Sequence, residues 1–175
     1  IEAAVEALAA LPFPTIAGVR VLALAGAAEI AIACDLQVAA EDAVLGFPEV
    51  RIGIFPGAGG AHRLPRLVGD GAARDLLFTG RRVEAAEALR LRLVDRVVPP
   101  AHVLPAALAL AREIAGNAPL AVRGVKQAVE RSHGLPVGEA RRIVHPLRAA
   151  LDVTADYDEG LTAFAERRTP VFDGR

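Results

Sequence analysis

Residues 14–50 read PTIAGVRVLALAGAAEIAIACDLQVAAEDAVLGFPEV, and their alternation of apolar runs with small-residue breaks decides the fold class. The segment TIAGVRVLALA is rich in branched and apolar residues and predicts a buried strand from about Thr15 to Val21. Gly26 then offers a permissive turn. The following AAEIAIAC has no polar face except Glu29, which predicts a short buried helix. DLQVAA and AVLGF are two further strand candidates, separated by the polar pair Glu41 and Asp42, which suits a turn.

Upstream, Ile1, Val5 and Leu8 recur at helical spacing, and LPFP ends that helix near Leu11 because proline cannot continue it. Downstream, the glycine-rich GIFPGAGG leads into AHRLPRLVG. From Gly71 onward the pattern is mostly helical, in AARDLLFTG, VEAAEALRLRLV, AHVLPAALALAREIAGN and PLAVRGVKQAVERSHG. VDRVVPP is a short strand between them, and DEGLTAFAERR is an amphipathic segment with Leu161 and Phe164 on one face. A strand-rich first half thus passes into a helix-rich second half. The chain opens inside a helical pattern and contains no methionine, which predicts that residues are missing ahead of Ile1.

With 175 residues, 53% of them hydrophobic, the chain can bury one sizeable core. A net charge of −1 gives no basic face to recruit nucleic acid or an anionic membrane. The most apolar run, Val21 to Cys34, is interrupted by Gly26 and Glu29 and is shorter than the roughly 20 residues of a membrane helix. Cys34 is the only cysteine, so no internal disulfide can form and a reducing compartment, the cytoplasm, is expected. Alanine abounds and Lys126 is the lone lysine among many arginines, a codon bias that points to a G+C-rich bacterium.

Four histidines (His62, His102, His133, His145) lie far apart without metal-ligand spacing, so no metal site is expected. Serine occurs only at Ser132, outside a nucleophile-elbow context, and Cys34 reads as a buried inert thiol. PGAGG at 56–60 lacks the lysine and hydroxyl of a phosphate loop. It reads equally as a plain turn or as a loop of exposed amides entering a helix N-terminus, able to hold a water or polarise an oxygen.

The carboxylates say more. Glu29 falls in the first turn of an apolar helix, and Glu49 follows Pro48 between Phe47 and Val50. Each alone reads as a dipole-stabilising or solvated turn residue at least as readily as a functional one. Together, on a chain that doubles back between them, they form a candidate general acid/base pair in desolvated surroundings, with Gly26 supplying an unobstructed N–H at a helix start. That combination suits chemistry next to a carbonyl.

Residues 14–69, with LLFTGRRVEAAEALRLRLVDRVVP and DEGLTAFAERRTPVFDGR, resemble the enoyl-CoA hydratase/isomerase (crotonase) family, in register from Ile1 to Arg175. The resemblance implies an α/β fold, a crotonase-like spiral of ββα units, with residues 1–110 forming part of the spiral core and 111–175 a helical C-terminal trimerisation region. It implies that Gly26 is one oxyanion donor, that Glu29 and Glu49 are the two hydratase glutamates, that Gly57 helps seat the reacting water, and that Arg167 reaches the nucleotide end of coenzyme A. The implied reaction is syn hydration of a trans-2-enoyl-CoA to a 3-hydroxyacyl-CoA. No cofactor is implied, coenzyme A being part of the acyl-CoA thioester substrate, and the implied assembly is a homotrimer or a dimer of trimers.

Two alternatives stay open: a Δ3,Δ2-enoyl-CoA isomerase, which needs only Glu49, and a truncated non-catalytic crotonase-like subunit. The family pattern AVNGYALGGGCE here reads GVRVLALAGAAE, so Arg20, Val21, Ala25 and Ala27 depart from it and predict a stiffer or differently angled loop. The family's upstream half, which supplies the second oxyanion amide and most coenzyme A contacts, has no counterpart before Ile1, so the chain alone is expected to bind acyl-CoA poorly.

Overall fold

The computed structural model describes residues 1–175. In chain order its elements are α1 (Glu2–Ala9), β1 (Ile16–Val19), β2 (Leu22–Leu24), α2 (Gly26–Ala33), β3 (Leu36–Ala40), β4 (Val44–Gly46), a 3₁₀ turn (Pro48–Ile52) and α3 (Gly60–Thr79). There follow β5 (Arg82–Glu84), α4 (Ala85–Arg90), β6 (Arg96–Val98), a second 3₁₀ turn (Pro100–His102), α5 (Val103–Ala115), α6 (Pro119–Ser132), α7 (Val137–Ala149) and α8 (Ala155–Glu166). The chain divides into two compact units, Ile1–Leu11 with Thr15–Leu110, and Pro12–Pro14 with Ala111–Arg175.

The first unit is a coil of ββα turns. Strands β1, β3 and β6 form one parallel sheet in the order β1-β3-β6, with Ile16 opposite Leu36 and Val38 opposite Arg96. Strands β2, β4 and β5 form another, β2 and β4 parallel with Leu22 opposite Val44 and Leu24 opposite Gly46, and β5 antiparallel to β4. The turns β1-β2 and β3-β4 thus each send their first strand to one sheet and their second to the other, the second stacking on the first strand for strand, and β5 and β6 then extend the second and the first sheet. Val38, Ala39, Leu45, Phe47, Leu64 and Val83 are fully buried in this unit.

This division explains the main departure from the sequence reading. The strand expected over Thr15 to Val21 ends at Val19, and after Arg20 and Val21, both exposed, a second strand, Leu22–Leu24, joins the other sheet. Hydropathy cannot mark such a break, because both halves are equally apolar. The helical stretch expected from Gly71 begins at Gly60 and bends at Gly69, whose φ of 78° and ψ of 159° are outside the helical region. Cys34, at the C-terminal cap of α2, is half-buried rather than enclosed.

Ala25 lies between β2 and α2 with φ 53° and ψ −128°, a conformation that glycine enters freely and an L-residue occupies at a cost of about 1–3 kcal/mol. Its N–H donates to Gly46 O at 3.0 Å and its carbonyl accepts from Glu29 N–H at 3.0 Å, so both sides of the residue are tied. Of Arg20, Val21, Ala25 and Ala27, Ala25 alone has positive φ. Ala25→Gly is therefore expected to stabilise the protein by about 1 kcal/mol after the greater unfolded-state entropy of glycine is offset, raising the thermal midpoint by about 2–4 °C. Thermal unfolding of both proteins measures it.

In the second unit, α6 and α7 pack as a helical pair. Lys126 on α6 is buried and donates from Nζ to Phe13 O at 3.2 Å. Asp156, buried at the start of α8, accepts from the Asp173 and Gly174 N–H groups at 2.8 and 3.0 Å and so holds the C-terminal residues against that helix. No helix is long and apolar enough to cross a membrane.

Candidate active site

The site is built where β2 and β4, neighbouring parallel strands, both end. After Leu24 the chain passes through Ala25 into α2, whose first residue is Gly26 and whose first turn carries Glu29. After Gly46 it passes through Phe47 into the 3₁₀ turn that carries Glu49. The parallel pairing thus delivers the two glutamates from equivalent strand ends.

Glu29 is 4% exposed, and its Oε1 accepts the Gly60 N–H at 2.9 Å. The hydrogen bond from a helix-start amide holds this carboxyl group in one orientation. Gly60 is required there sterically, since a Cβ on it would lie 2.4 Å from Pro56 Cβ and 3.2 Å from Phe47 Cδ1.

Glu49 is 7% exposed, and its Oε2 is buried without a hydrogen-bond partner. Burial pushes its carboxyl above the ordinary glutamate range, the charge of Glu29 pushes it further, and a hydrogen bond from its own backbone N–H pulls the other way. The two acids are close enough to sense each other and sit in opposite settings, one anchored by a donor and the other desolvated.

Gly26 begins α2, with Ile1 Cδ1 3.3 Å from where a Cβ would stand. Gly57 lies on an exposed turn three residues before Gly60, and its Cβ position has only Phe55 O near it, at 3.9 Å. Arg167 belongs to the second unit, exposed at the C-terminal cap of α8 with φ 56° and ψ 40°. The glutamates, Gly26 and Gly57 are thus gathered in the first unit, while Arg167 is not among them. Gly60 was not singled out from the sequence. Its signal was the Gly59-Gly60 doublet at a helix start, but only packing shows which glycine faces Glu29.

The family described as enoyl-CoA hydratase/isomerase matches residues 1–175. The chain belongs to the enoyl-CoA hydratase/isomerase family. Its fold is the crotonase fold: an enoyl-CoA hydratase structure from Bacillus anthracis superimposes with a TM-score of 0.97 at 40% identity, covering 99% of this chain and 67% of that one. The short-chain-enoyl-CoA hydratase of Clostridium acetobutylicum is 42% identical over 155 residues, 89% of this chain and 59% of that protein. The mitochondrial enoyl-CoA hydratase domain-containing protein 2 of Mus musculus is 44% identical over 172 residues, 96% of this chain and 58% of that protein. The chain therefore spans rather less than two thirds of the length of these two family members.

Proposed function

We propose that the protein is an enoyl-CoA hydratase, adding water to a trans-2-enoyl-CoA to give the 3-hydroxyacyl-CoA. The observation that carries this reading is the opposite setting of the two buried glutamates, Glu29 anchored by the Gly60 N–H and Glu49 desolvated with a free buried oxygen. Glu29 takes a proton from water as its oxygen bonds to the β-carbon. The enolate-like thioester oxygen is received by the Gly26 N–H, and Glu49 delivers a proton to the α-carbon. Return of the proton from Glu29 to Glu49 through solvent restores the site, so one water is consumed and no redox change occurs. Gly57 is assigned to seating the water and Arg167 to the nucleotide end of coenzyme A, from a neighbouring subunit of a homotrimer or dimer of trimers. No cofactor beyond the substrate's own coenzyme A is needed for this chemistry. The composition and the single cysteine support a bacterial cytoplasmic setting.

Isomerisation of a 3-enoyl-CoA would need only Glu49, and a scaffold subunit would need neither acid. The burial of Glu29 on a dedicated amide favours hydration. With the full-length protein, loss of the enoyl-thioester ultraviolet absorbance of crotonyl-CoA is the expected result, and Glu29→Gln should reduce its rate by about 10²–10⁴-fold. Full retention of 3-enoyl-CoA isomerisation in Glu29→Gln, with hydration never seen, would establish the isomerase instead. Absence of both turnover and acyl-CoA binding would leave the scaffold reading.

A further inference from the structure

Helix α2 carries both Gly26 and Glu29 in its first turn, yet little in its own sequence fixes where it sits along its axis. It has only eight residues, and its buried side chains are mostly the small ones of Ala28, Ala31 and Ala33. Alanine faces slide past neighbours more easily than long interdigitating side chains, so hydrogen bonds carry more of the positional information. Ala25, at its N-terminal cap, provides no side-chain cap for it.

The last turn of α2 is instead held from the sheet. Gln37, the second residue of β3, is 2% exposed, and its Nε2 donates to Ala31 O at 3.1 Å and to Cys34 O at 2.9 Å. Its backbone is fixed in turn, because its N–H donates to Asp95 Oδ2 at 2.7 Å and its carbonyl accepts from Asp95 N–H at 3.0 Å. A buried amide whose two donors both point at the end of one helix clamps that helix to β3 and, through Asp95, to the start of β6.

We infer that Gln37 is a positioning residue for the reaction, setting the axial placement of α2 and hence of the Glu29 carboxylate and the Gly26 amide. Gln37 touches no reacting atom and acts through the helix. A helix of eight residues moves as one body, so release of its last turn displaces its first. The inference rests on the hydratase reading proposed above.

The test is Gln37→Met in the full-length protein, because methionine keeps the unbranched shape and volume but has no donor. Assayed well below its melting temperature with crotonyl-CoA, the variant should lose roughly 10- to 100-fold in kcat, the scale of a misplaced catalytic group, while KM stays within twofold. The alkaline limb of its kcat profile should also shift, since Glu49 senses the charge of Glu29. Gln37→Asn, which keeps the amide on a shorter stem, should fall between the two. A lowered melting temperature with kcat and pH profile unchanged would overturn the inference, as would failure of both variants to fold, which would make Gln37 purely structural. If the unaltered protein does not hydrate crotonyl-CoA, the hydratase reading fails first and takes this one with it. If it does and Gln37→Met matches it, only the positioning role fails.

Discussion

Glu49→Gln is expected to lower hydration by about 10²–10⁴-fold while making the folded protein more stable at neutral pH. The two effects share one cause. Burial, with the charge of Glu29 adding to it, raises the Glu49 carboxyl above its ordinary value of 4.5, so the folded state holds this proton more tightly than the unfolded chain. For a carboxyl shifted upward, stability falls as pH rises from the ordinary value through the raised one, and the full penalty remains above both. Glutamine has nearly the same shape and no charge to desolvate. The variant should therefore melt higher than the natural protein at pH 7, and the gap should close below about pH 4.5, where both side chains are neutral. Thermal unfolding across that range, with hydration rates measured alongside, checks both halves. A variant that melts lower at neutral pH would contradict the desolvated setting of Glu49. On the hydratase reading, the rate profile of the unaltered protein should also show a limb on the alkaline side, because a general acid is lost as it ionises.

Gly60→Ala should damage both stability and turnover, for reasons that can be separated by its neighbour on the same loop. The added Cβ would stand 2.4 Å from Pro56 Cβ and 3.2 Å from Phe47 Cδ1, and Phe47 and Pro56 are both fully buried. The loop or the helix start must shift, at about 1–3 kcal/mol for overpacking a filled site. Any shift carries the Gly60 N–H away from Glu29 Oε1, leaving a buried carboxylate without its donor. Turnover should fall by about 10²-fold, the scale of an ångström-sized misplacement. Gly57→Ala provides the contrast, since its Cβ would find nothing closer than Phe55 O at 3.9 Å. It should unfold at the same urea concentration as the natural protein. Equal destabilisation of the two variants would mean that chain stiffness, rather than the contact with Pro56, sets the requirement at Gly60.

Much of the first unit was readable from residue pattern alone. The short helix with Glu29 in its first turn, the two strands around Glu41 and Asp42, and the strand in VDRVVPP all form, because each has a local signal strong enough to survive tertiary context. The strand break at Arg20 and Val21 was not readable, since which sheet a short apolar strand joins depends on partners far along the chain. Strand β5 (Arg82–Glu84) was missed because two of its three residues are charged, and its place is set by pairing with β4. Glu29 and Glu49 stood out as acids in apolar surroundings. Gly60 and Gln37 did not, because their roles lie in hydrogen bonds to residues 31 and six or fewer positions away in sequence, which no periodicity encodes.

The pairing of β2 with β4 also bears on how such a protein can diverge. Glu29 and Glu49 leave the scaffold from the ends of two parallel strands joined by backbone hydrogen bonds, with Leu24 opposite Gly46. Their points of departure are therefore separated by about the 4.7–4.9 Å between neighbouring strands, a length fixed by peptide geometry and indifferent to side-chain identity. Substitutions can drift through the surrounding apolar layers, and loops can lengthen elsewhere, without altering that interval. The spacing of the two strand ends that lead to Glu29 and Glu49 is inherited from the main chain itself.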